Sequence, residues 1–175
     1  MALGSSLFDD IKLALSLSDN SSDFSTNFSS AINDYLVGAI YADGALLWVG
    51  STTPTSFVLT EGMSSTDAAE IISTSIQGYW GVSGIAVGTP GTATQLTTVV
   101  GGTINASLVK STLKPLLINI FSDLSTTLPN SNPVTIDSKS QQIADAITTA
   151  ILTIVTEHTE TTPPVVSGTI QGSIE

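Results

Sequence analysis

The stretch Ser138–His158, SKSQQIADAITTAILTIVTEH, decides how this chain is read. Ile143, Ile147, Ala150, Ile151, Ile154, Val155 and His158 recur at spacings of three and four, the signature of a helix with one apolar side. Asp137 or Ser138 caps its start, and Pro163-Pro164 stops any helix beyond it. His158 continues the apolar stripe and reads as a helix-end histidine, favourably placed against the dipole.

The sequence changes period after the prolines. From Val165 to Glu175 it alternates: Val166, Gly168, Ile170, Gly172 and Ile174 fall on one face, and the other is polar apart from Val165. Period two predicts a strand. It can pair with short strands near Val49 or Val87, or add to a sheet of a neighbouring subunit, and the second is favoured.

Toward the N-terminus four more helices are expected. Residues 6–18 carry Leu7, Phe8, Ile11, Ala14 and Leu15 on one side, with Ser6 and Asp9 as a capping pair. Residues 23–41 carry Phe24, Phe28, Ile32, Leu36 and Ile40. Residues 66–80 carry Ala68, Ala69, Ile72, Ile76, Tyr79 and Trp80, capped by Ser65 or Thr66. Residues 105–125, capped by Asn105, carry Leu108, Val109, Leu113, Leu116, Leu117, Ile120, Phe121 and Leu124. Pro115 either kinks this last helix or opens a second one after Lys114. Ala45–Val49 is a strand or a buried helix end. Segment 81–103, with six glycines and one proline, is a long loop with one or two short strands.

The expected fold is therefore mainly α: a compact bundle of about five helices with a few short strands. Residues 1–162 form the helical domain, and 163–175 an extended C-terminal β-arm.

Composition narrows function more than any motif does. The chain has 175 residues, a length that suits one domain, with 15 acidic residues against 4 basic ones and a net charge of −11. The basic residues are Lys12, Lys110, Lys114 and Lys139, too few and too scattered to follow a phosphate backbone, so direct nucleic-acid binding is excluded. There is no cysteine and one histidine, so thiolate chemistry is absent and histidine metal chemistry nearly so. Twenty-five serines and 25 threonines make the surface hydroxyl-rich and cheap to desolvate against a partner. A 41% hydrophobic share argues against disorder. No stretch approaches about 18 uninterrupted apolar residues, so no membrane span is expected. The N-terminus lacks a positive start and reaches Asp9-Asp10, so it does not read as an export signal.

No chemical motif is complete. Gly81-Val-Ser-Gly84 is not a nucleophile elbow. Asp19-Asn-Ser-Ser-Asp23 begins like a calcium loop, but Phe24 stands where glycine is needed and Ser30 where glutamate is. Gly88-Thr-Pro-Gly91 lacks the Gly-Lys of a phosphate loop. No cofactor, metal or catalytic residue is assigned. The large aromatics Trp48, Tyr79 and Trp80 are core anchors or interface hot spots.

The order of features is a helix pair, a helix ending at Gln77-Gly-Tyr-Trp80, a Gly/Thr-rich link, two amphipathic helices, a Pro hinge and Gly168-Thr-Ile-Gln-Gly172. It resembles small virion structural proteins of tailed bacteriophages. That resemblance implies a non-enzymatic subunit, made in the host cytoplasm and built into the neck, tail or capsid of a virion. Its partners are then copies of itself and other virion proteins. Val166, Gly168, Ile170, Gly172, Ile174, Trp48, Tyr79 and Trp80 are the candidate interface positions. The alternative is an adhesion or carbohydrate-binding module with a Ser/Thr-rich face; an enzyme of unrecognised type is a third.

Overall fold

A computed structural model describes residues 3–17, 21–38, 41–43, 46–49, 56–81, 85–87, 98–127, 133–161, 166–170 and 173–174. Among these the chain is mainly helical, with five helices. They are α1 (Leu3–Leu17), α2 (Ser21–Gly38), α3 (Ser65–Gly81), α4 (Val109–Thr127) and α5 (Pro133–Ile151).

Each helix buries one stripe. In α1 it is Leu7, Ile11 and Ala14; in α2 Phe28, Ile32, Tyr35 and Leu36. Helix α3 contributes Ala69, Ile72, Ile76, Tyr79 and Trp80, and α4 contributes Val109, Leu113, Leu117, Ile120 and Leu124. Helix α5 adds Ile143, Ile147, Ala150 and Ile151 to the same continuous core. Helix α1 packs on α2 and α5, and α4 packs on α5 and α3, so α5 is the seam of the bundle. Two tyrosines cross between helices: the Tyr79 hydroxyl donates to the Leu36 carbonyl at 3.2 Å, and the Tyr35 hydroxyl meets Thr148 Oγ1 at 3.4 Å.

The boundaries differ from the sequence reading in instructive ways. Helix α1 begins at Leu3, so Ser6 lies inside it and does not cap it. The cap of α3 is Ser64: its Oγ accepts the Asp67 amide at 3.1 Å and donates to Asp67 Oδ2 at 2.7 Å. Asn105 closes a strand instead of opening α4, and its Oδ1 accepts the Ser107 amide at 3.1 Å. Helix α4 runs through Pro115 without a break. That proline is exposed, and so is Ser111, whose carbonyl has no amide to receive at position 115. Leu108 and Leu116, assigned to the apolar stripe from sequence, are 56% and 38% exposed. Helix α5 starts at Pro133, where a missing amide costs nothing, and neither Asp137 nor Ser138 caps it.

The largest correction is at the end of α5. The helix stops at Ile151, and the Thr153 amide and hydroxyl both donate to the Ala150 carbonyl, at 3.1 and 2.7 Å. Val155–Thr161 then forms a strand, so His158 is a strand residue and not a helix-end one.

The strands are β1 (Tyr41–Asp43), β2 (Leu46–Val49), β3 (Ile85–Val87), β4 (Thr98–Asn105), β5 (Val155–Thr161), β6 (Val166–Ile170) and β7 (Ser173–Ile174). All their pairings are antiparallel, in the orders β3-β2-β1-β7 and β4-β5-β6. In segment 81–103, β3 and most of β4 are described; residues 82–84 and 88–97 lie outside the described residues. The β4–β5 register shifts between Val99 and Gly102, where Val100 and Gly101 stand opposite the single residue Thr159.

Candidate functional site

Helix α2 carries two serines one turn apart, Ser25 and Ser29, and both are buried. A serine on the core side of a helix needs a hydrogen-bond partner. Here the partner is a distant piece of backbone. Ser25 Oγ accepts the Leu59 amide at 2.7 Å and donates to the Phe57 carbonyl at 3.3 Å. Ser29 Oγ accepts the Phe57 amide at 3.3 Å and lies 3.2 Å from the same carbonyl. The two hydroxyls thus do for segment 56–60 what an adjacent strand would do.

That segment is extended. Phe57 and Leu59 are buried, while Ser56, Val58 and Thr60 are exposed, a period of two. Phe57 meets Phe28 edge-on with ring centroids 6.0 Å apart, and Phe28 stacks on Phe24 at 5.2 Å. A turn follows, closed by the Met63 amide on the Thr60 carbonyl at 3.1 Å. Its third residue is Gly62, at φ 75°, a conformation that glycine adopts without strain. The turn delivers the chain to the Ser64 cap of α3.

A groove of about 440 Å³ runs between α2 and this segment. Its α2 wall is Ser22, Thr26, Ser30 and Asn33 beside the two bonded serines. Asn33 Oδ1 is buried there without a hydrogen-bond partner among the described residues. A second hollow of about 230 Å³ lies between α1 and α2, lined by Asp10, Asn27 and Asp34 among others. Desolvation raises the Asp10 carboxyl above its usual range, and the charges of Asp34 and Asp9 push the same way. Among the described residues no group of three His, Cys, Asp or Glu side chains is placed to hold a metal ion.

The lysines all join helices. Lys12 of α1 reaches Asp137 of α5 at 2.8 Å, and Lys139 of α5 reaches Asp123 of α4 at 3.0 Å. Lys110 and Lys114 of α4 share Glu70 of α3, Lys114 at 2.9 Å. The Lys110 amide is in turn received by Gln77 Oε1 at 3.1 Å, which fixes the start of α4 against α3. Hydrogen bonds from Lys110 and then Lys114 hold the Glu70 carboxyl down at about 2. Three of the 15 acids thus engage every lysine in the chain.

The candidate interface positions separate into groups. Tyr79 and Trp80 are 5% and 0% exposed, their rings edge-on at 5.1 Å. They belong to the core and leave a partner almost nothing to cover. Trp48 lies in β2, opposite Tyr41 of β1 and Ala86 of β3. Val166, Gly168 and Ile170 lie in β6, whose register sets Gly168 against His158 and Ile170 against Thr156. Ile174 lies in β7 opposite Tyr41, and Gly172 is outside the described residues. Within the single chain, then, the terminal segment pairs with β5 and β1.

The chain matches no protein-family model, no curated protein and no solved structure. Ser25 and Ser29 are the residues that sequence reasoning missed. The available signal was two serines at i and i+4 bordering the Phe24–Phe28–Ile32 stripe.

Proposed function

We propose that this chain is a non-enzymatic structural subunit of a tailed-phage particle, at the neck, tail or capsid surface. It is made in the host cytoplasm and assembles with copies of itself and with other virion proteins. The observation that carries the reading is the C-terminal segment, an alternating Gly/Ile/Val run after a double proline. Its first strand, β6, stands last in the order β4-β5-β6, with one neighbour among the described residues. An extended β-arm with an open edge suits addition to a neighbouring subunit. The surface chemistry supports the same reading. A skin of serine and threonine is less costly to dehydrate than one of lysine and glutamate.

The test is the solution mass by light scattering, for the full chain and for a form lacking residues 165–175. A symmetric oligomer that falls to monomers on truncation in dilute solution, with helical circular dichroism retained, is the expected result. A monomer in both forms overturns strand-mediated assembly.

One observation favours a second reading, an adhesion or carbohydrate-binding module: the hydroxyl-lined groove beside α2. Retention of the full chain on immobilised glycans, lost when Ser30 and Asn33 are changed to alanine, would decide for it.

A further inference from the structure

The extended segment 56–60 has two edges, and among the described residues only one is occupied. Successive peptide groups of an extended chain point to opposite sides. Phe57 and Leu59 turn theirs toward Ser25 and Ser29. The Val58 amide and carbonyl therefore face away from α2, and neither has a hydrogen-bond partner among the described residues. Val58 itself is 70% exposed, the most exposed large hydrophobic residue among the described residues. This is a short extended edge, held from behind by the buried Phe57 and Leu59 side chains and by two hydroxyls, with an apolar side chain at its centre.

We propose that this edge pairs with the same edge of a second copy, antiparallel about a two-fold axis through Val58. The sequence is self-complementary in that register. Val58 faces Val58 and exchanges both backbone bonds, and Ser56 faces Thr60 of the second copy at either end. Serine–threonine and β-branched pairs are favourable cross-strand neighbours, and the five residues carry no charge. Glu61 lies beyond the paired stretch and never meets its own copy. A two-fold contact needs only one kind of surface, which this edge supplies. The C-terminal strand of a neighbour is the alternative occupant, and the form lacking residues 165–175 tells the two apart. Five residues a side bury less than the roughly 1,200 Å² of a standard stable interface, so the pair is weak alone and strengthens where copies are held together. The contact does not depend on the proposed C-terminal exchange.

The chain contains no cysteine, which makes the test clean. In an antiparallel hydrogen-bonded pair the facing Cα atoms are about 5.5 Å apart, within disulfide reach. The full-length Val58→Cys protein is oxidised at high concentration and run without reductant. The expected result is a covalent dimer, with Ser56→Cys or Thr60→Cys alone staying monomeric and an equimolar mixture of those two cross-linking. Equal cross-linking at all three positions, or none at Val58→Cys, overturns the proposal. Val58→Pro removes the central donor without touching an in-chain bond. It should abolish the concentration-dependent rise in mass while the melting temperature stays within a few degrees; an unchanged mass profile overturns the proposal as well. Both experiments are repeated on the form lacking residues 165–175. Persistence of the dimer there separates this contact from the arm.

Discussion

Segment 56–60 and helix α3 are each tied to a neighbouring helix by polar side chains, and the two ties differ in kind. Ser25 and Ser29 hold the segment with buried, uncharged hydrogen bonds. Glu70 holds α3 to α4 through two lysines on a face where all three side chains are a third or more exposed. Buried neutral bonds draw strength from the absence of competing water, and removing one side strands the other. Exposed charges are screened by salt and respond to pH. A chain with 11% charged residues uses the second kind sparingly and puts hydroxyls where others put ions.

The comparison disappears if the shared core is lost. Ile147 of α5 is fully buried in the helix that packs on both α1 and α4. Ile147→Asp places a charge there with no solvent to receive it and should unfold both regions together. Loss of the cooperative thermal transition is the readout, and an unchanged melting temperature would refute the placement of α5.

A smaller effect separates the two ties. Replacing Ser25 and Ser29 with alanine strands the Phe57 and Leu59 backbone groups and should cost about 1–3 kcal/mol per serine. The loss should be the same in dilute buffer and in molar salt, and amide exchange should quicken at 57 and 59 first. A salt-dependent loss would mean that the segment is held by something other than the hydroxyls.

Glu70→Gln should cost less than the serine pair, and the cost should shrink as salt is added. Its pH dependence has a fixed sign. The carboxyl is held below its ordinary 4.5, so its contribution is complete above that value and is lost as pH falls through about 2. Wild type and Glu70→Gln should therefore differ in denaturant midpoint at pH 6 and converge between 4.5 and 2. A gap that persists at pH 2 would assign the effect to packing.

The smallest expected change has the opposite sign. Asp10 is raised by desolvation and by the charges of Asp34 and Asp9, so its ionised form costs the folded state and acidification relieves that cost. Asp10→Asn should raise the melting temperature slightly at neutral pH, and the gain should fade as pH falls. A lower melting temperature would show that the carboxylate is satisfied where it stands.

The five helices were legible because each repeats apolar residues at three and four, as Ile143–Ile147–Ile151 does. Their ends were less so. Ser64 caps α3 from outside the apolar pattern, and Pro115 looked like a break because sequence does not show which side of a helix faces solvent. At β5 the period misled. Ile154, Val155 and His158 fall where a helical stripe would continue, while the countersignal was Thr153, Thr156, Thr159 and Thr161, β-branched residues suited to a strand. Tyr79 and Trp80 carried the chemistry of an interface and of a core alike, and burial decided between them. The Ser25–Leu59 tie spans 34 residues, and no local pattern announces it.

The placement of the lysines has a practical consequence for proteolysis. Trypsin cuts after lysine or arginine, and this chain has no arginine. Lys12 lies in α1, Lys110 and Lys114 in α4 and Lys139 in α5, and Lys114 is followed by a proline that blocks cleavage. Every bond open to that protease therefore lies inside a helix and beside an ion pair. Native-state tryptic nicking of this molecule would time the opening of individual helices, with no loop cleavage to obscure it.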